Sequence, residues 1–183
     1  FIKNGTGSCT VATSYSSILY IEDMDIADFD GDTYPDVVTL CQDSNKVTIL
    51  HNAGNGSFSN PVHYNVGTNV SGVAAEDFNS DGWKDVIVCY NSYVGIFLNN
   101  AGSGFASIAS YAGSYPAVAV AVADINSDGI MDVVKLTNSG VAWTLGNGTG
   151  GLVATSSIYS MSNSGAFIIK DLNSDGKMDV VSN

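Results

Sequence analysis

Four nine-residue segments of this chain share one spacing of acids and recur at almost fixed intervals. They are Asp28-Phe-Asp-Gly-Asp-Thr-Tyr-Pro-Asp36, Asp77-Phe-Asn-Ser-Asp-Gly-Trp-Lys-Asp85, Asp124-Ile-Asn-Ser-Asp-Gly-Ile-Met-Asp132 and Asp171-Leu-Asn-Ser-Asp-Gly-Lys-Met-Asp179, with successive offsets of 49, 47 and 47 residues. A period of this size means that one small supersecondary unit is repeated, each too small to bury both of its faces alone. The similarity runs beyond the acids. A strand-like segment precedes each loop (Met24-Asp-Ile-Ala27, Val120-Ala-Val-Ala123), and a β-branched pair follows it (Val37-Val38, Val86-Ile87, Val133-Val134, Val180-Val181). Next come a second apolar run, as in Val47-Thr-Ile-Leu50, and an Asn/Gly turn, as in Asn52-Ala-Gly-Asn-Gly56. A tyrosine then stands 12 or 13 residues ahead of the next loop, at Tyr15, Tyr64, Tyr111 and Tyr159.

One unit therefore reads strand, acidic loop, strand, short link, strand, Gly turn, strand, with no helical periodicity. Repeated four-stranded antiparallel sheets of this length are the blades of a β-propeller. The expected fold is an all-β propeller with three complete blades and two half-blades in this chain. The units fall at about residues 1–21 (half), 22–70, 71–117, 118–164 and 165–183 (half). The two halves sum to a fourth unit, so a four-bladed ring and a section of a larger ring are both open. No signal peptide is visible, because Phe1-Ile-Lys-Asn4 reads as the end of a strand; the sequence reads as mature or as cut from something longer.

The chain has 18 acids against 6 lysines and no arginine, for a net charge of −12. That excludes a nucleic-acid surface, which needs clustered Lys/Arg. The Tyr, Val and Ile content speaks against a disordered acidic chain, and no apolar stretch reaches the roughly 18 residues of a membrane helix. Thirteen of the 18 acids fall inside the four loops, a density that calls for cations. Cys9, Cys41 and Cys89 lack C-x-x-C spacing, which argues against a zinc site and leaves buried thiols or one disulfide. Glycosylation triplets at Asn4, Asn55, Asn69 and Asn147 favour an extracellular glycoprotein.

Ca²⁺ takes six to eight hard oxygen ligands at about 2.3–2.6 Å. Loop positions 1, 3 and 5 offer side-chain oxygens: Asp28, Asp30 and Asp32; Asp77, Asn79 and Asp81; Asp124, Asn126 and Asp128; Asp171, Asn173 and Asp175. Position 7 offers a backbone carbonyl, so its side chain is expected to vary freely, as Tyr34, Trp83, Ile130 and Lys177 do. Position 9, always aspartate (Asp36, Asp85, Asp132, Asp179), can close the shell. Up to four Ca²⁺ are expected, one per loop. Position 2 is apolar (Phe29, Phe78, Ile125, Leu172) and is expected inside the packing. An EF-hand is excluded, because its Glu at position 12 is replaced by Thr39, Val88, Lys135 and Ser182 and the flanks are strands. The first loop departs from the others. Thr33 replaces Gly82, Gly129 and Gly176, at a cost if that position needs φ > 0. Asp30 replaces asparagine and adds charge. This loop is expected to bind metal with altered geometry.

The acidic loops, with the Gly-rich turns followed by an aromatic at Gly56-Ser-Phe58 and Gly104-Phe105, resemble the FG-GAP/VCBS repeat family, the calcium-bearing propellers of integrin α-chains and many secreted microbial proteins. The resemblance covers essentially the whole chain, although Gly150-Gly-Leu152 lacks the aromatic. It implies a seven-bladed ring, of which this chain would be a section completed by missing blades or other chains.

Nothing in the sequence reads as catalytic: no G-x-S-x-G, H-E-x-x-H or P-loop occurs. His51 and His63 read as strand-edge residues, Trp143 as blade core and Trp83 as an exposed aromatic. The expected function is non-enzymatic, a secreted or cell-surface module that adheres to a protein or glycan ligand at a surface or matrix. A lectin using inter-blade aromatics and a non-catalytic part of a larger secreted enzyme are the alternatives, and fold alone does not choose between them.

Overall fold

The computed structural model of the chain describes residues 2–3, 9–10, 20–113, 115–160 and 167–182. Asn4, the turn at residues 4–7 and Tyr15 lie outside these. Among the described residues the regular structure is all strand. Val- and Ile-rich runs form the strands, and Gly, Asn, Ser and Asp form the turns between them, as their backbone preferences require.

Strand β1 (Ile2–Lys3) pairs with β2 (Cys9–Thr10). Three four-stranded antiparallel sheets follow, each ordered as in the sequence. The first holds β3 (Ile21–Ala27), β4 (Asp36–Cys41), β5 (Lys46–Leu50) and β6 (Val62–Asn65). The second holds β7 (Val70–Glu76), β8 (Asp85–Tyr90), β9 (Tyr93–Phe97) and β10 (Ala109–Ala112). The third holds β11 (Ala117–Ala123), β12 (Asp132–Thr137), β13 (Gly140–Gly146) and β14 (Leu152–Ser160). A last pair joins β15 (Phe167–Lys170) to β16 (Asp179–Ser182). The tyrosines Tyr64, Tyr111 and Tyr159 all fall on fourth strands.

The sheets succeed one another in a propeller-like stack, with β3 packed along β7 and β7 along β11. Each first strand carries a bulge at the same place, leaving Glu22, Ser71 and Val118 without a partner in the neighbouring strand. Two acids on β3 bridge the first two sheets directly. Asp23 Oδ2 accepts the Val73 N–H (3.0 Å) and Asp25 Oδ2 the Ala75 N–H (2.9 Å).

The core lies between sheets. Val38, Leu40, Val47 and Ile49 of the first meet Val73, Val86, Val88 and Phe97 of the second. Phe105 packs edge-on against Phe29 and Tyr64, with ring centroids 5.6 and 5.3 Å apart. The next interface joins Ile87, Cys89 and Ile96 to Val120 and Val133, and the last joins Val134, Leu136 and Val141 to Phe167 and Ile169. Strands β8 and β12 are buried along their whole length, because a sheet covers each face. β8 consequently reads as an apolar run after Asp85 rather than an alternating one, whereas β12 buries Lys135 and Thr137 among its apolar residues. Cys41 and Cys89 are buried free thiols, and burial pushes Cys89 up to about 12, which leaves it unreactive.

The outer faces of the stack are apolar and open. Met24 is 57% exposed, yet it stands in the register of Val73 and Val120, which a preceding sheet leaves only 4% and 8% exposed. Ile168 and Val180 of the last pair are likewise exposed.

Candidate metal centre

Each acidic loop joins the first strand of a sheet to the second, and its side chains fold back onto its own N–H groups. The aspartate at position 1 accepts two of them. In the second loop Asp77 Oδ1 takes the N–H of Asp81 (3.0 Å) and Oδ2 that of Gly82 (2.8 Å). Asp124 and Asp171 repeat this arrangement. At position 5, Asp81 Oδ1 takes the Trp83 N–H (2.9 Å) and Oδ2 takes the Asn79 amide (2.9 Å). Position 9 is fully buried in Asp36, Asp85 and Asp132. Its Oδ2 accepts the N–H of position 2, from Phe29 (3.0 Å), Phe78 (2.9 Å), Ile125 (3.1 Å) or Leu172 (3.0 Å). Its Oδ1 accepts an N–H at the end of the third strand, from Asn52 (2.7 Å), Asn99 (2.8 Å) or Gly146 (2.9 Å). The loop thus ties three strands together.

These bonds explain which positions admit an amide. Positions 1, 5 and 9 each need two acceptor oxygens, and an Asn there would set its NH₂ against an N–H. Position 3 needs one acceptor and one donor, which is what Asn79, Asn126 and Asn173 supply. The acid pattern therefore has a hydrogen-bonding cause that does not require an ion.

Hydrogen bonds do not offset the charge. In the first loop Asp28, Asp30 and Asp32 bring ligand oxygens within 4.8 Å of one another. That is the width of a shell of radius about 2.4 Å, the Ca–O distance. Asp30, Asp36 and His51 form a second group within the same limit. Among the described residues no other trio of acids and histidines meets it, since asparagine takes position 3 in the other loops. Burial is the main influence raising the carboxyls of Asp30, Asp85 and Asp132 above the ordinary range, with nearby loop acids adding to it and N–H bonds opposing it. A divalent cation relieves both burial and repulsion, so these oxygen-rich loops fit one.

Position 6 does require a left-handed backbone. Thr33 has φ 76°, against 93°, 84° and 83° for Gly82, Gly129 and Gly176. A Cβ on those glycines would meet nothing within 4 Å, so the cost of a side chain is that of the backbone alone. Thr33→Gly is expected to stabilise the protein by about 1 kcal/mol. The readout is a higher urea midpoint, and a lower one would contradict the strain.

Three further expectations change. In the first three loops the side chain at position 7 is not free: it seats on a glycine of a turn. A Cβ on Gly54 would come within 2.5 Å of the Tyr34 ring, and one on Gly148 within 3.4 Å of Ile130. Trp83, far from being an exposed aromatic, is a half-buried wedge over Gly102 of its own sheet and Gly31 of the preceding loop, 2.8 and 2.9 Å from their would-be Cβ atoms. His63 does lie on an edge strand, β6, with Nδ1 2.8 Å from Oγ1 of Thr48 on β5, but His51 reaches the acids of the first loop. At position 2, Phe29 and Phe78 are buried and Ile125 packs against the third core, whereas Leu172 is 55% exposed on the open last pair.

The FG-GAP-like repeat family matches residues 28–88 and 77–135. No curated protein matches the chain significantly. Among solved structures, an Agrocybe aegerita lectin, described by its specific recognition of non-reducing terminal N-acetylglucosamine, is 23% identical with a TM-score of 0.59 over 85% of this chain. The Photorhabdus luminescens Tc holotoxin pore is 16% identical with a TM-score of 0.51 over 86% of it. This chain spans 44% of the lectin chain and 8% of the toxin chain, so the likeness is one of fold over part of each. The family's two overlapping matches take in three of the acidic loops, and the chain belongs to the FG-GAP-like repeat family.

Proposed function

We propose that this chain is a section of a calcium-stabilised β-propeller that acts outside the cell as a non-catalytic adhesion module. Its three complete blades are the four-stranded sheets, and its half-blades are the pairs β1–β2 and β15–β16. Up to four Ca²⁺ are held by the side chains at loop positions 1, 3, 5 and 9 and the carbonyl at position 7. The convergence of Asp28, Asp30 and Asp32 carries this reading. When bound, the ion supplies the positive charge that these crowded carboxylates lack.

The apolar faces around Met24 and Ile168 suit further blades, from missing sequence or from other chains. The exposed asparagines of the glycosylation triplets at Asn55, Asn69 and Asn147 support an extracellular setting. The loop acids accept backbone N–H bonds and, in the first loop, crowd around one point, an arrangement that suits holding a cation. The ligand is a protein or a glycan presented at a surface, and a lectin sharing this fold is in keeping with that. The test is an array of glycans and matrix proteins probed in calcium and again in chelator. Binding in calcium that chelation abolishes is expected; silence across the array in calcium would overturn the adhesion reading.

A further inference from the structure

The first loop departs from its three counterparts at two places that are distant in sequence and meet in space. Asp30 stands where Asn79, Asn126 and Asn173 stand. His51 stands where the second and third sheets have Leu98 and Leu145, immediately ahead of the N–H that the position 9 aspartate receives. His51 Nδ1 lies 3.2 Å from Asp30 Oδ2 and 3.1 Å from Asp36 Oδ2.

We propose that His51 gives the first loop a nitrogen donor and makes it a site for a first-row divalent transition ion of the zinc class, held by Asp30, Asp36 and His51. The proposal rests on reading the loops as metal sites and goes beyond that reading in the kind of ion. Calcium sites are built of oxygen, whereas imidazole is a good ligand for Zn²⁺ and its neighbours. Two carboxylates and one imidazole form a three-ligand set that leaves a position open. In a tetrahedral shell of radius about 2.1 Å, neighbouring donors are about 3.4 Å apart, close to the separations found here.

The arms of the site are held in advance. Asp36 is buried and fixed by the N–H groups of Phe29 and Asn52. Asp30 Oδ1 accepts the Asp32 N–H, which leaves Oδ2 to face the imidazole. The loops with Asn and Leu at these two positions have the same backbone and no such group, so the trio is not a by-product of the loop fold.

The test is titration of the full chain with Co²⁺, a spectroscopic stand-in for zinc, in excess Ca²⁺, followed by visible absorption and calorimetry. One Co²⁺ per chain is expected to bind and resist calcium. His51→Leu, which installs the residue of the other sheets, is expected to weaken that uptake at least tenfold while the thermal melt in calcium stays cooperative. Asp30→Asn should weaken it as well. No uptake by the unaltered chain in calcium, or equal uptake by His51→Leu, would overturn the proposal. A separate Ca²⁺ titration keeps the two readings apart: absence of calcium binding beside His51-dependent cobalt binding would remove the first and leave this one standing.

Discussion

Chelation of calcium is expected to lower the melting temperature of the protein by about 10 °C or more. At millimolar calcium and a Kd of about 10 µM, one site stabilises the folded state by about 2.7 kcal/mol. In a chain of 150–250 residues each kcal/mol moves the melt by about 2–4 °C. A single site therefore accounts for a shift in the range of 5–10 °C, and several accumulate. The effect should be reversed by added calcium, and calorimetry should count at least three ions per chain. The hydrogen bonds of the loops would persist without metal. A melt that does not move in EDTA would mean that those bonds alone hold the loops and that the carboxylate charge is tolerated or neutralised by protons.

Asp85→Ala is expected to cost about 3 kcal/mol or more even in metal-free protein. The Asp85 carboxylate is buried and accepts the N–H groups of Phe78 and Asn99. Removing it strands both donors, at about 1–3 kcal/mol each. Asp85→Asn should rescue little, since its single oxygen serves one N–H and its NH₂ confronts the other. Asp81→Ala makes the contrast, for its loop is exposed and water replaces what it loses. Denaturant unfolding of the three variants in EDTA is the measurement. Equal stability of Asp85→Ala and Asp81→Ala would show that position 9 is not the anchor its burial implies.

The part of this architecture that repeats was legible in the sequence. The 47-residue period, the order of strands and loops, and the apolar residue at position 2 each recur, so comparing copies exposes them. Contacts that depend on strand register were not. Asp36, Asp85 and Asp132 bind N–H groups 14 to 16 residues away, across a strand pairing that a pattern of residue types does not specify. His51 was read as a strand edge because nothing in one dimension sets it beside Asp30. Its one signal was the joint substitution of Asn and Leu in a single copy, visible only once both positions are aligned. The exposure of Leu172 was illegible for the opposite reason, since its own residues match the pattern and the difference lies in what covers them.

The Trp83 wedge limits how these repeats can diverge. Its ring is accommodated by the missing side chains of Gly102 in its own unit and Gly31 in the unit before. At the position equivalent to Gly31 the other loops carry Ser80, Ser127 and Ser174. A duplicated or transplanted second unit would thus meet a serine where its indole needs open space. The second unit is keyed to the first at this junction, and replacing one of the two without the other would leave the indole without its space.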